Sequence, residues 1–369
     1  MSLQSPSELP LDPIASISKR RMRSLLKSPV KTAEAVNLVY LSDNVPGIER
    51  RKSENGFEYL YEGKKVTDEE TLLRIKRLVL PPAWENVWIS PKENGHLQAT
   101  GTDVKNRKQY KYHASWNALR NHTKFYRLYQ FGMVIPDLRL KIEKDLSLPG
   151  LPVDKVLATV VSLMERTNIR VGNCSYEKAN GSYGITTLKD KHVKVQGTSI
   201  KFSFKGKKGV YHDIDIKSKR LAGIVKKCQD IPGKELFQYI DGDGTRRDID
   251  SGMVNNYIKS IGDGDFTAKD LRTWSGTVQA LLAFKELGLS DTQTQTKKNV
   301  VAALDMVASA LGNTRTVCKK YYVHPLILSL YETKTLEKYL SHLDDLEKDD
   351  NKTGLTSEEK VLMNILKSS

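Results

Sequence analysis

Apolar positions recur at three- and four-residue spacing over residues 153–166, where Val156, Val160, Leu163 and Met164 share one side. The same spacing over 299–311 aligns Val300, Val301, Leu304, Val307, Ala308 and Leu311, and both patterns predict amphipathic helices. Further helices are expected at 67–80, 117–133, 218–228, 251–261, 267–287 and 316–323. Pro81, Gly312 and Pro325 supply stop signals, and Thr267 with Asp270 three residues on looks like a capped start. Alternation or β-rich runs bounded by turn residues predict strands at 56–61, 87–89, 96–100 and 105–113. A second group falls at 184–187, 192–195, 199–204 and 210–216. The expected class is α+β: a small antiparallel sheet domain, then a larger, mainly helical domain carrying a β-hairpin or small sheet. We place a flexible basic arm at 1–35, the sheet domain at 36–120, the helical domain at 121–330 and a helical, polar tail at 331–369.

Charge narrows the partner. Lys and Arg number 59 against 44 Asp and Glu, a net charge of +15, so a polyanion is expected, nucleic acid ahead of an anionic membrane surface. No apolar run approaches the roughly 18 residues of a membrane span, and no signal-peptide core opens the chain, so an intracellular protein is expected. Cys174, Cys228 and Cys318 lack metal-ligand spacing and read as reduced structural thiols. The acidic turn at Asp241 has Arg246 where a calcium loop needs Gly and Gly252 where it needs Glu, so no metal is expected there. Gly206-Lys207 and Gly233-Lys234 are followed by Lys208 and Glu235, which breaks the phosphate-loop pattern.

The most informative stretch runs from Leu311 to Pro325. It sets Tyr322 beside Lys319 and Lys320, just before a proline that stops the local helix. A phenol titrates near 10 and is a poor nucleophile unless cations stabilise the charge that develops. A Tyr-Tyr pair alone reads more simply as half-buried aromatics. In 105–113 basic residues interleave with Tyr110 and Tyr112, while Gln109 and Lys111 alternate to the other face. Gln can read a base edge, and Lys and Tyr can hold phosphates; an exposed polar strand with its tyrosines in the core is the competing reading. Lys207 and Lys208 stand at a glycine-flanked hairpin tip. Arg170, Lys207, Arg272, Asn313 and Tyr322 lie on five separate elements. Attack on a phosphodiester needs cationic donors for two non-bridging oxygens and a proton for the leaving oxygen, which two arginines and a lysine can supply.

Seven segments in order resemble the type IB DNA topoisomerases, in their bacterial and poxvirus-like branch. They are Pro81-Pro-Ala-Trp84, His96-Leu-Gln-Ala-Thr-Gly101, Arg107-Lys-Gln-Tyr-Lys-Tyr-His113, Arg170-Val-Gly-Asn173, Phe204-Lys-Gly-Lys207, Lys269-Asp-Leu-Arg-Thr-Trp274, and Leu311-Gly-Asn-Thr314 followed by Tyr322-Val-His-Pro325. The resemblance implies a two-lobed clamp around duplex DNA and relaxation of supercoils through a 3′-phosphotyrosyl bond, strand rotation and religation, without ATP or metal. By position it makes Tyr322 the nucleophile, Arg170 and Arg272 the phosphate clamp, Lys207 the proton donor and Lys269 its helper. Gln109, Tyr110, Lys111, Tyr112 and Tyr176 fall at DNA-contacting positions. Poxvirus members carry His where Asn313 stands; an amide donates a hydrogen bond but carries no charge. No cofactor is implied. The partner is double-stranded DNA, not a membrane, the chain a monomer, and the compartment the cytoplasm, at the nucleoid if the source is bacterial. A tyrosine recombinase or integrase and a non-catalytic duplex-binding protein are the alternatives.

Overall fold

The computed structural model describes residues 28–54, 56–104, 106–233, 235–262, 264–341 and 353–367. Most of the expected basic arm, up to residue 27, lies outside the described residues. The chain divides into two compact units, one up to Tyr126 and one from Arg127 onward.

In the first unit, helix α1 (Pro29–Glu34) precedes strands β1 (Ile48–Ser53), β2 (Gly56–Tyr61) and β3 (Lys64–Lys65), helix α2 (Glu69–Arg77), and strands β4 (Glu85–Ile89), β5 (Leu97–Thr102) and β6 (Lys108–Tyr112). The six strands form one sheet in the order β3-β2-β1-β4-β5-β6, antiparallel throughout. Asp68 caps α2 by accepting from Thr71 N at 2.8 Å, satisfying an amide that the first turn leaves open. Ile48, Val87, Ile89 and Ala99 from the sheet meet Ile75 of α2 in a small core.

Helix α3 (Ala114–Leu146) is much longer than the expected 117–133 and accommodates Pro136. The second unit continues with α4 (Val153–Thr167), α5 (Cys174–Asn180), strands β7 (Val193–Gln196), β8 (Ser199–Lys205) and β9 (Tyr211–Lys217), and α6 (Lys219–Gln229). After these come β10 (Gln238–Ile240), β11 (Arg246–Asp248), α7 (Ser251–Lys259), α8 (Ala268–Leu287), α9 (Gln293–Leu311) and α10 (Arg315–Tyr321). The short helices α11 (Pro325–Glu332) and α12 (Glu337–Leu340), and then α13 (Ser357–Lys367), complete it. Strands β7, β8 and β9 form an antiparallel sheet, and β10 and β11 a hairpin. The predicted apolar face of α4 is real, and Val156, Val160, Leu163 and Met164 are all buried in a large core shared with α8 and α9. An antiparallel sheet domain followed by a mainly helical one with small sheets is the α+β class expected.

One strand was misread. Residues 185–187 form a 3-10 turn, because their amides are taken by a neighbouring loop: Ile185 N donates to Arg170 O at 2.8 Å and Thr186 N to Val171 O at 2.9 Å. That pairing fixes the backbone of Arg170.

Helix α13, drawn from the stretch read as a tail, buries Val361, Leu362, Ile365 and Leu366 in the main core. Its Glu359 accepts two bonds of 2.8 Å from Arg139 of α3 and one of 2.8 Å from Trp274 Nε1 of α8. Arg139 also donates to Glu165 of α4 at 2.7 Å. A buried carboxylate with a bidentate guanidinium partner thus anchors α13 to three helices.

Candidate active site

Tyr322 follows the last residue of α10, where its amide donates to Cys318 O at 2.9 Å. Its carbonyl accepts from Thr277 Oγ1 of α8 at 3.1 Å, and the same hydroxyl accepts from His324 N at 3.2 Å. Gly276 admits this approach: a Cβ there would stand 2.9 Å from Tyr322 O and 3.1 Å from Tyr322 Cβ. Arg272 lies one turn earlier on the same face of α8.

Arg272 is only 5% exposed. Its Nη2 donates to Leu311 O at 2.8 Å and its Nη1 to Asn168 O, so one guanidinium joins the C-terminal ends of α9 and α4. Its central carbon lies 5.3 Å from the centroid of the Tyr322 ring. Arg170 Nη2 donates to Gly312 O at 3.1 Å and to Asn313 Oδ1 at 2.6 Å. The Asn313 Nδ2 is buried with no partner among the described residues.

Burial, and then the like charge of Arg272, push Arg170 down to about 10; burial likewise lowers Arg272, against the opposing pull of Tyr322. Among the described residues no carboxylate forms an ion pair with either arginine. Two desolvated cations without an acid are costly unless an anion joins them. Cys318, buried one turn before Tyr322, has its thiol pushed up to about 11 by burial, although both arginines pull the other way.

Direct contacts therefore join Arg170 to Asn313 and Arg272 to Tyr322, and the two arginines are brought side by side by the adjacent carbonyls of Gly312 and Leu311. Lys207 is exposed in a turn at residues 207–209 between β8 and β9, and Lys269 is exposed in the first turn of α8. Capping of that turn is as expected, with Thr267 N donating to Asp270 Oδ2 at 2.8 Å. Sequence reading missed Asn168, Gly276, Thr277 and Cys318. Gly276 and Thr277 had a signal, lying four and five residues after Arg272 in one helix; Asn168 and Cys318 touch the site only through backbone or proximity.

In the first unit, Tyr110 is 49% exposed and stacks on Tyr112 with centroids 6.0 Å apart and planes at 8°, so the tyrosines share a face, Tyr110 in the open and Tyr112 half-buried against the small core of Ala33, Leu38 and Trp116. Lys108 Nζ sits 5.8 Å from the Tyr110 ring centroid. Gln109 Nε2 is held by Asp103 Oδ2 at 2.9 Å, and Lys111 is exposed. Arg74, Arg77, Tyr110, Lys111, Tyr112 and His113 line an open groove of about 560 Å³. The Tyr176 backbone lies in α5, and its side chain lies outside the described residues.

Residues 113–350 match the family model of the eukaryotic DNA topoisomerase I catalytic core, and residues 56–103 that of the bacterial DNA topoisomerase IB N-terminal domain. The chain is 35% identical over 308 residues to a DNA topoisomerase 1B of Acanthamoeba polyphaga mimivirus, covering 81% of this chain and 91% of that one. It is 27% identical over 239 residues to the DNA topoisomerase 1B of vaccinia virus, covering 63% and 72%. A DNA topoisomerase 1 of rabbit fibroma virus matches at 23% identity over 304 residues, 78% and 88% of the two chains. With its catalytic-core match spanning the arginines and Tyr322, the chain belongs to the type IB DNA topoisomerases, enzymes that relax supercoiled duplex DNA.

Proposed function

We propose that Tyr322 is the nucleophile of the relaxation reaction. Its oxygen forms a bond to the scissile phosphorus as the bond to the 5′-oxygen breaks, leaving a 3′-phosphotyrosyl strand and a free 5′-hydroxyl. Arg170 and Arg272 hold the two non-bridging oxygens on which charge accumulates, each through the planar fork of a guanidinium. Asn313 turns its Oδ1 to Arg170, which leaves its Nδ2 to donate to the same phosphate. Lys207 gives a proton to the leaving 5′-oxygen, and Lys269 assists that transfer. Religation is the reverse attack, and since the phosphotyrosyl bond keeps the energy of the diester, no ATP is consumed.

The observation that carries this reading is a pair of guanidiniums without a carboxylate among the described residues, Arg272 buried against the Tyr322 ring and Arg170 half-buried beside Asn313. A structural ion-pair network would place an acid there; a phosphate site leaves that place for the substrate. Tyr110, Tyr112, Lys111 and Gln109 on β6 contact the duplex groove and backbone, and Tyr176 adds a contact from α5. We propose that the enzyme acts on double-stranded DNA as a monomer. Among the described residues no helix is long and apolar enough to cross a membrane. We place the enzyme with its substrate, in the cytoplasm and at the nucleoid of a bacterial source. The test is relaxation of supercoiled plasmid in chelator without nucleotide: wild type relaxes it, and Tyr322→Phe binds DNA but leaves it supercoiled. Relaxation by that variant removes the nucleophile assignment.

A further inference from the structure

His212 lies on β9 opposite Phe204 of β8, and the two rings stack with centroids 5.0 Å apart and planes at 20°. Two glycines from different segments flank the imidazole. A Cβ on Gly206, the residue before Lys207, would stand 2.6 Å from both Cδ2 and Nε2 of His212. A Cβ on Gly312 would overlap Cε1 and lie 3.1 Å from Nε2. Gly312 is thus constrained twice, by its φ of +56° and by the ring above it. The imidazole fills a slot between the lysine-bearing turn and the loop whose Gly312 carbonyl and Asn313 amide hold Arg170.

We propose that His212 is a positioning residue whose ring registers the Lys207 turn against the loop at residues 312 and 313, fixing the proton donor relative to the phosphate clamp. Packing does this work, not charge. Burial, followed by the nearby charges of Arg170 and Arg272, holds the imidazole below its ordinary value, so it adds no third cation to the site at neutral pH. Backbone bonds shape the hairpin turn, Gly206 N to Val210 O at 2.7 Å and Gly209 N to Gly206 O at 3.1 Å, and Tyr183 N donates to Lys205 O at 2.8 Å at its base; the His212 ring adds a packed contact from the turn to Gly312. A displacement of about 1 Å in a proton donor can cost about 10²-fold in rate.

The inference rests on Lys207 being the proton donor, and the two are tested apart. Single-turnover cleavage is measured at a mapped site on two duplexes, one with the normal 5′-oxygen at the scissile phosphate and one with sulfur in its place. A thiolate, whose acid titrates near 8.5, leaves without a proton. Lys207→Ala, slow on oxygen and fast on sulfur, establishes the donor; equal slowing on both removes it.

His212→Ala is expected to cleave the oxygen duplex about 10- to 100-fold slowly, and the sulfur duplex within about threefold of wild type. Binding of uncleaved DNA should be unchanged. The double variant should be no slower than Lys207→Ala alone, because both changes act on one step. If His212→Ala melts early, His212→Gln carries the same comparison. Wild-type cleavage of the oxygen duplex, losses that multiply in the double variant, or equal slowing by His212→Ala on both duplexes when sulfur does rescue Lys207→Ala would each overturn the proposal. Losses that do not multiply would still establish the coupling if sulfur failed to rescue Lys207→Ala, since only the role of the lysine would then change.

Discussion

The Arg272 guanidinium faces the Tyr322 ring at 5.3 Å while donating to Leu311 O at 2.8 Å and to Asn168 O, so the side chain that meets the phenol is held by two other segments. The phenol lies against a cation held from two sides, the kind of preorganisation that the proposed attack by Tyr322 requires.

Replacing Tyr322 with Phe removes one oxygen and keeps the ring packed on Arg272. Covalent DNA adducts, detected by denaturing gel, should vanish. Thermal melting and duplex affinity should match wild type.

Arg170→Ala should slow single-turnover cleavage about 10²- to 10³-fold, the usual loss for one preorganised donor. Arg170→Lys should recover little, because an ammonium cannot bridge the Gly312 carbonyl, Asn313 Oδ1 and a phosphate through a planar fork. Cleavage by either variant at the wild-type rate would show that Arg170 does not touch the phosphate.

Gly276→Ala adds one methyl group where Tyr322 O would be 2.9 Å away. The expected cost is about 1–3 kcal/mol of stability, read by denaturant titration, with slower cleavage because the segment carrying Tyr322 must move. Ordinary stability with ordinary cleavage would mean that the loop yields freely.

Glu359 gives a pH signature. Burial alone would raise its pKa, but hydrogen bonds and charge from Arg139 outweigh that and leave it below the ordinary 4.5. A carboxyl depressed in the folded state contributes fully above its unfolded pKa and loses that contribution as pH falls through the folded value. Melting temperature should therefore drop below about pH 4.5 in the wild type, and more shallowly in Glu359→Gln, which should start about 1–3 kcal/mol less stable at neutral pH. Parallel curves for the two proteins would assign the acid loss to other groups.

Much of this was legible before any coordinates. The apolar spacing of residues 153–166 and 299–311 marked two core helices, and the order of seven segments marked the family, which leaves the recombinase alternative without support. The 3-10 turn at 185–187 was not legible, because β-branched residues with a glycine read as a strand until the Arg170 loop is known to take their amides. Nor was the extent of α3, whose Pro136 argues locally for a break that tertiary packing overrides. The resemblance picked out the arginines by position, but nothing in the sequence singles out His212, whose ring lies against two glycines 6 residues before and 100 after it.

Cys318 sits within one helical turn of Tyr322, buried and protonated at neutral pH, while Cys174 is exposed. The molecule thus carries its own clock for breathing of the helix that leads into Tyr322. A thiol reagent should label Cys174 at once and Cys318 only when that helix opens, and occupancy of the neighbouring cations by DNA should slow the second event and spare the first.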